Sequence, residues 1–295
     1  MSLSGKRLAR ACATQSLIVM LIAINYWQQM FRRPEWLAPC TLCFMHCILA
    51  AFLTAWAQLI FMPIIELPRS WLSKEYLGMN TEVCKKSGVV LPLRAYNWKG
   101  TIIVGFDHFC GWLGVPIGLH NRKFFVQFLF YGGILCIGGA VFSVIDVLHP
   151  AEAPPPTVDG AGVSMSMSEV LVMMVAPGAV LVSKWLLGFG EMVDLNVTIY
   201  AFTIMADSAV AAALLLFCAY HMHLVLTNRT TIDPTTTRWD CGRFANWCQV
   251  FGTEPAWWFV PLRGPGPASD GIHYPERQTH KYINHTPFGL TCDAM

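Results

Sequence analysis

Charge is what this chain lacks. Lys, Arg, Asp and Glu make up 13% of its 295 residues, about half of the roughly 25% typical of a soluble domain. Acidic residues are missing altogether before Glu35, although Lys6, Arg7 and Arg10 precede it. The net charge is only +2, which gives no electrostatic basis for a nucleic-acid partner. A compact, regularly spaced cysteine framework is also missing. Cys47, Cys136 and Cys218 lie inside apolar runs and read as small buried hydrophobes. The soluble parts are therefore expected to face a reducing compartment.

What is present is long apolar sequence, 55% of the chain being hydrophobic. About 20 consecutive apolar residues cross a bilayer. Four segments qualify: 11–31, 36–65, 124–145 and 201–226. The chain thus reads as an all-α polytopic membrane protein with four transmembrane helices. It divides into 1–65 (basic tail and first two spans), the loop 66–123, the segment 124–226 with spans three and four, and the tail 227–295. Gln15, Gln28 and Gln29 in the first span suit contacts with other helices. The basic tail and the Lys- and Arg-rich loop lie on one face by the positive-inside rule, while 146–169 carries Asp146, Glu152, Asp159 and Glu169 without a cation. That parity leaves 170–190, broken by Pro177-Gly178 and carrying Lys184, as an interfacial or re-entrant segment. The basic start fixes topology or, being Arg-rich and acid-poor, acts as a mitochondrial address.

The chemistry concentrates at Asp107, His108 and Cys110, just before the third span. A cysteine two residues after a histidine, with an aspartate before it, is a candidate activated thiolate. Two further motifs follow span four: Asn-Arg-Thr-Thr-Ile-Asp at 228–233 and Asn-Trp-Cys-Gln-Val-Phe-Gly at 246–252. Elsewhere, Cys40, Cys43, His46 and Cys47 fall near one helical stripe. They read as small packing residues, with a metal or redox site as the alternative. His120, His221 and His223 read as interface residues.

Together, the three motifs resemble the DHHC family of protein S-acyltransferases. That resemblance implies four spans, a Cys-rich loop between the second and third, a T-T-x-E motif after the fourth, and an ordering element in the tail. It makes Cys110 the acyl-accepting nucleophile, His108 its base and Asp107 the group that orients the base. Thr230, Thr231 and Asp233 match T-T-x-E, with Asp for Glu, and are placed beside the active site. Asn246 and Phe251 structure the tail against the loop. Acyl-CoA and protein cysteines are the implied substrates.

The loop departs from the family where that family binds two structural zinc ions. The eight ligand positions fall on Cys84, Ser87, Asn97, Trp98, about Thr101, about Val104, Phe109 and Pro116. Tetrahedral zinc needs four N, S or carboxylate donors, so no zinc or other cofactor is expected. Residues 88–106, rich in β-branched and aromatic side chains around Lys99-Gly100, resemble a hairpin. The loop is then a zinc-free remnant held by apolar packing, and the tail an irregular cap. Loss of the metal scaffold, and Gly111 where the family has Pro, weigh toward a catalytically silent structural or accessory subunit of a larger membrane complex. The intact Asp107, His108 and Cys110 keep an active zinc-independent palmitoyltransferase as the alternative. A multi-pass endomembrane location follows from the resemblance, and the mitochondrial inner membrane from the complex-subunit reading.

Overall fold

The computed structural model describes residues 15–16, 18–20, 22–26, 39–61, 81–83, 90–98, 101–148, 195–271 and 274. Among them are three helices long and apolar enough to cross a membrane: α1 (Pro39–Phe61), α2 (Leu119–Leu148) and α3 (Leu195–Leu226). Of the expected first span, 15–16, 18–20 and 22–26 are helical, and the remainder lies outside the described residues. So do the segment 170–190 and the tail beyond 274.

Two boundaries differ from the sequence reading. Helix α2 starts at Leu119 rather than Phe124, so the loop ends earlier than residue 123. Arg122 and Lys123 made that stretch look like loop, but both are buried on the helix with fixed partners. Arg122 donates to the Arg229 carbonyl at 2.7 Å and Lys123 to the Leu262 carbonyl at 3.0 Å. Helix α3 likewise begins at Leu195 rather than residue 201.

The chain forms two compact units. One comprises 51–129 and 217–295 together with 1–12; the other comprises 13–50 and 130–216. In the second unit, glycines let side chains approach the backbone of α2, as membrane helices favour. A Cβ at Gly133 would meet Leu215, at Gly138 Met45, and at Gly139 both Asn25 and Asp207. Asn25 Nδ2 donates to Asp207 Oδ1 at 3.3 Å. Cys40, Cys43 and Cys47 lie on the outer surface of α1. His46 Nδ1 bonds the Leu42 carbonyl instead of joining them. Cys136 is half-buried and Cys218, in the other unit, is buried.

The first unit carries the loop. Three short antiparallel pairs follow in chain order: β1 (Thr81–Val83) with β2 (Val90–Pro92), β3 (Tyr96–Trp98) with β4 (Thr101–Ile103), and β5 (His108–Cys110) with β6 (Val115–Ile117). Aromatic stacking ties the pairs together, with Tyr96 on Phe106 at 4.7 Å and Trp98 on Phe109 at 4.7 Å.

Helix ends do the positioning. Asn121 accepts the Gly118 N–H at 2.8 Å and donates to the Pro116 carbonyl, a reciprocal cap that starts α2 directly after β6. At the end of α3, the Asn228 N–H bonds Val225 and the Arg229 N–H bonds Leu224, with Asn228 at φ 49°. This is a Schellman turn, and asparagine is among the few non-glycine residues that accept that conformation. The Asn228 side chain then donates to the Trp239 carbonyl and Gln249 Oε1, while Arg94 donates to its Oδ1. The tail adds one amphipathic helix, α4 (Arg243–Phe251), and a single 3-10 turn at Pro255–Trp257, and is otherwise irregular up to Gly271. Cys241 is disulfide-bonded.

Candidate active site

Strand β5 sets the chemistry by alternation. Successive strand side chains point to opposite faces, so His108 and Cys110 share one face and Phe109 takes the other. Phe109 stacks flat on Trp98, with the ring planes 10° apart. His108 instead meets Phe125 edge-on at 5.1 Å and faces His221 at 5.3 Å. Cys110 is a free thiol, 7% exposed, at the mouth of a turn closed by Gly114 N–H on its carbonyl. Gly111 in that turn has open space around it, and Trp112 is exposed.

Asp107 is fully buried and held from several directions. Its backbone N–H bonds the Ile117 carbonyl at 2.9 Å. Oδ1 accepts the Thr231 N–H at 3.2 Å and lies 3.3 Å from the Arg122 guanidinium. Oδ2 accepts His108 Nδ1 at 2.7 Å. The Thr231 hydroxyl donates to the Asp107 carbonyl. Burial works to raise the Asp107 carboxyl, but the His108 hydrogen bond and the Arg122 charge outweigh it and hold the group below the usual range. Burial likewise opposes the His108 imidazolium. The interactions with Asp107 and Cys110 prevail, the Asp107 hydrogen bond foremost, pushing His108 up to about 9. Its Nε2 is buried with no hydrogen-bond partner of good geometry.

Of the residues singled out in the sequence, Asp107, His108, Cys110 and Thr231 come together. Thr230 is buried beside them, its carbonyl taking the Asp233 N–H at 3.1 Å. The Asp233 side chain is exposed and makes no bond to this group, because it lies on the outer side of that turn. Asn246 anchors the tail to α3 and not to the loop. It donates to the Leu226 carbonyl at 2.9 Å and to Asp240 Oδ1 at 2.7 Å. Phe251 stacks on Trp247 within α4.

Two residues escaped the sequence reading: Arg122 and His221. His221 is fully buried with its Nδ1 3.6 Å from Asp107 Oδ2. The available signal was phase. Cys218, His221 and Val225 form a buried helical stripe leading into Asn228, while His223 is exposed.

Asp107, His108 and His221 bring potential metal-ligand atoms within 4.8 Å of one another. The Arg122 guanidinium already supplies the positive charge on that carboxylate. Phe109 and Pro116 are paired across β5 and β6, and Trp98 and Thr101 across β3 and β4. Those side chains offer no thiolate or imidazole, and two of them are spent on each other's rings.

Residues 78–238, more than half of the chain, match the sequence profile of the DHHC palmitoyltransferase. The chain is 30% identical over 186 residues to "Probable protein S-acyltransferase 13" of Arabidopsis thaliana, covering 61% of this chain and 51% of that protein. It is 25% identical over 272 residues to "Probable protein S-acyltransferase 14" of the same plant, covering 79% and 76%. Against human "Palmitoyltransferase ZDHHC15" it is 25% identical over 215 residues, covering 68% and 52%. The chain thus spans about half the length of the first and third of these relatives. By the extent of the profile match, which takes in the buried Asp107 and its neighbours, the chain belongs to the DHHC palmitoyltransferase family.

Proposed function

We propose that this chain is a zinc-independent protein S-acyltransferase that works through an acyl-enzyme on Cys110. The observation that carries the reading is the division of β5. Phe109, in a zinc-ligand position, faces Trp98, while His108 and Cys110 share the opposite face with His108 bonded to Asp107 at 2.7 Å. The scaffold was rebuilt on the side away from the thiol.

The chemistry follows from the positions. The Cys110 proton is held on His108 Nε2 in a thiolate–imidazolium pair, the form in which His108 is charged, and the thiolate attacks the thioester carbonyl of an acyl-CoA. A new acyl–sulfur bond forms, the CoA–sulfur bond to the acyl carbon breaks, and the CoA thiolate leaves with the proton from His108. In the second half-reaction a protein cysteine gives its proton to His108 and takes the acyl group, restoring the free enzyme. Asp107 keeps His108 protonated on Nδ1 and stabilises the imidazolium. No metal enters any step. Aromatic stacking at Trp98 and Phe109 supports a loop that stands without zinc.

The four-span topology, with 11–31 as the first span, completes the proposal, and an endomembrane location goes with it. The test is incubation of the purified full chain with an alkyne-labelled palmitoyl-CoA. A hydroxylamine-sensitive adduct is expected on wild type and is expected to vanish in Cys110→Ser, and metal analysis should find less than one zinc per chain. Two tightly bound zinc ions would overturn the metal-free scaffold. Absence of any adduct, with the chain recovered in a stoichiometric membrane complex, would establish the silent-subunit alternative, which the lost ligand cysteines favour.

A further inference from the structure

His221 is a buried imidazole with no hydrogen-bond partner on either ring nitrogen. Leaving such a group unpaired costs about 1–3 kcal/mol, so its surroundings matter. Phe125, Phe217 and Tyr220 enclose the ring edge-on at 4.9, 4.8 and 5.4 Å, and supply no acceptor to it. Among the described residues, the charged or titratable groups bearing on it are Asp107, His108, Arg122 and Tyr220. Nδ1 lies 3.6 Å from Asp107 Oδ2, the oxygen that also receives His108. That is just too long for a hydrogen bond. Closing it takes about half an ångström, and catalytic hydrogen bonds commonly tighten as a reaction proceeds.

We propose that His221 is a positioning residue for the thiol relay: in the tautomer protonated on Nδ1, it donates to Asp107 Oδ2 as the relay takes up charge. The carboxylate is then fixed by Arg122 and Thr231 on one oxygen and by two imidazoles on the other. Its plane cannot rotate, and His108 stays aimed at Cys110. This inference rests on the proposed role of Cys110, but its test does not require acyl-CoA turnover.

The experiment follows alkylation of Cys110 by iodoacetamide against pH in the full chain in nanodiscs, with Cys110→Ser subtracted. Asparagine places an amide N–H close to the Nδ1 position, leucine has similar size without a donor, and phenylalanine refills the aromatic cage without one. His221→Asn is expected to keep the wild-type rate at pH 7 within about threefold. His221→Leu and His221→Phe should both lose roughly tenfold, their reactivity developing only at higher pH. If all three variants match wild type, or if the asparagine variant falls as far as the leucine one, the proposal is wrong. Acyl-CoA labelling of the same samples separates the two claims. Unlabelled wild type with the expected alkylation pattern removes the transferase reading and leaves the positioning role standing.

Discussion

Thr231 grips Asp107 at two points, its N–H on the carboxylate and its hydroxyl on the carbonyl. Replacing it with valine removes the hydroxyl bond and leaves the backbone bond. The loss of one such bond is about 0.5–1.5 kcal/mol. Thr231→Val should therefore lower the melting temperature by a few degrees and slow Cys110 alkylation at pH 7 severalfold. Thr231→Ser should do neither, and equal behaviour of the two variants would show the hydroxyl to be idle. His108 makes a pH prediction with a definite sign. Folded, its imidazole holds a proton to about pH 9, whereas an unfolded histidine releases it near 6.5. The stabilisation is complete below about pH 6.5 and is lost as pH rises through about 9. Thermal unfolding of wild type should weaken across that window more than that of His108→Gln.

Elements explain how much of the site the sequence could disclose. Asp107, His108 and Cys110 sit next to one another in the chain, and a strand places the last two on one face by its period alone. Their grouping needed no tertiary information. Thr231 was legible only as part of a motif, since a Schellman turn at Asn228 delivers it to Asp107 from the far end of α3. Arg122 and His221 were not legible as site residues. Their partner is fixed by how α2 and α3 rotate against the loop, and no spacing encodes that. Their polar character instead suggested a loop end and an interface. In the loop, the stack of Trp98 on Phe109 joins β3 to β5. Trp98→Ala removes the half-buried ring beneath Phe109 and should cost about 1–3 kcal/mol, seen as a fall in melting temperature. Trp98→Phe, which keeps a stacking ring, should cost far less. A small effect of the alanine variant would mean that the stack is not what holds β3 to β5.

For the whole molecule, the division into two units predicts that stability and thiol chemistry respond to different residues. Gly139 belongs to the unit that does not contain Cys110. It faces Asn25 and the buried Asp207 so closely that any Cβ would collide with both. Polar groups of this kind inside an apolar span are expensive unless they are paired, and the Asn25–Asp207 bond answers that cost for one carboxylate oxygen. A methyl group at Gly139 would push the pair apart and overpack the helices, at about 1–3 kcal/mol. Gly139→Ala should therefore lower the melting temperature in detergent by several degrees. Cys110 alkylation in the folded fraction should keep its wild-type rate and pH profile, because no group touching Asp107 or His108 has moved. Loss of thiol reactivity in folded Gly139→Ala protein would mean that the packing of this unit is coupled to the catalytic loop, and the two units would then have to be treated as one mechanical body.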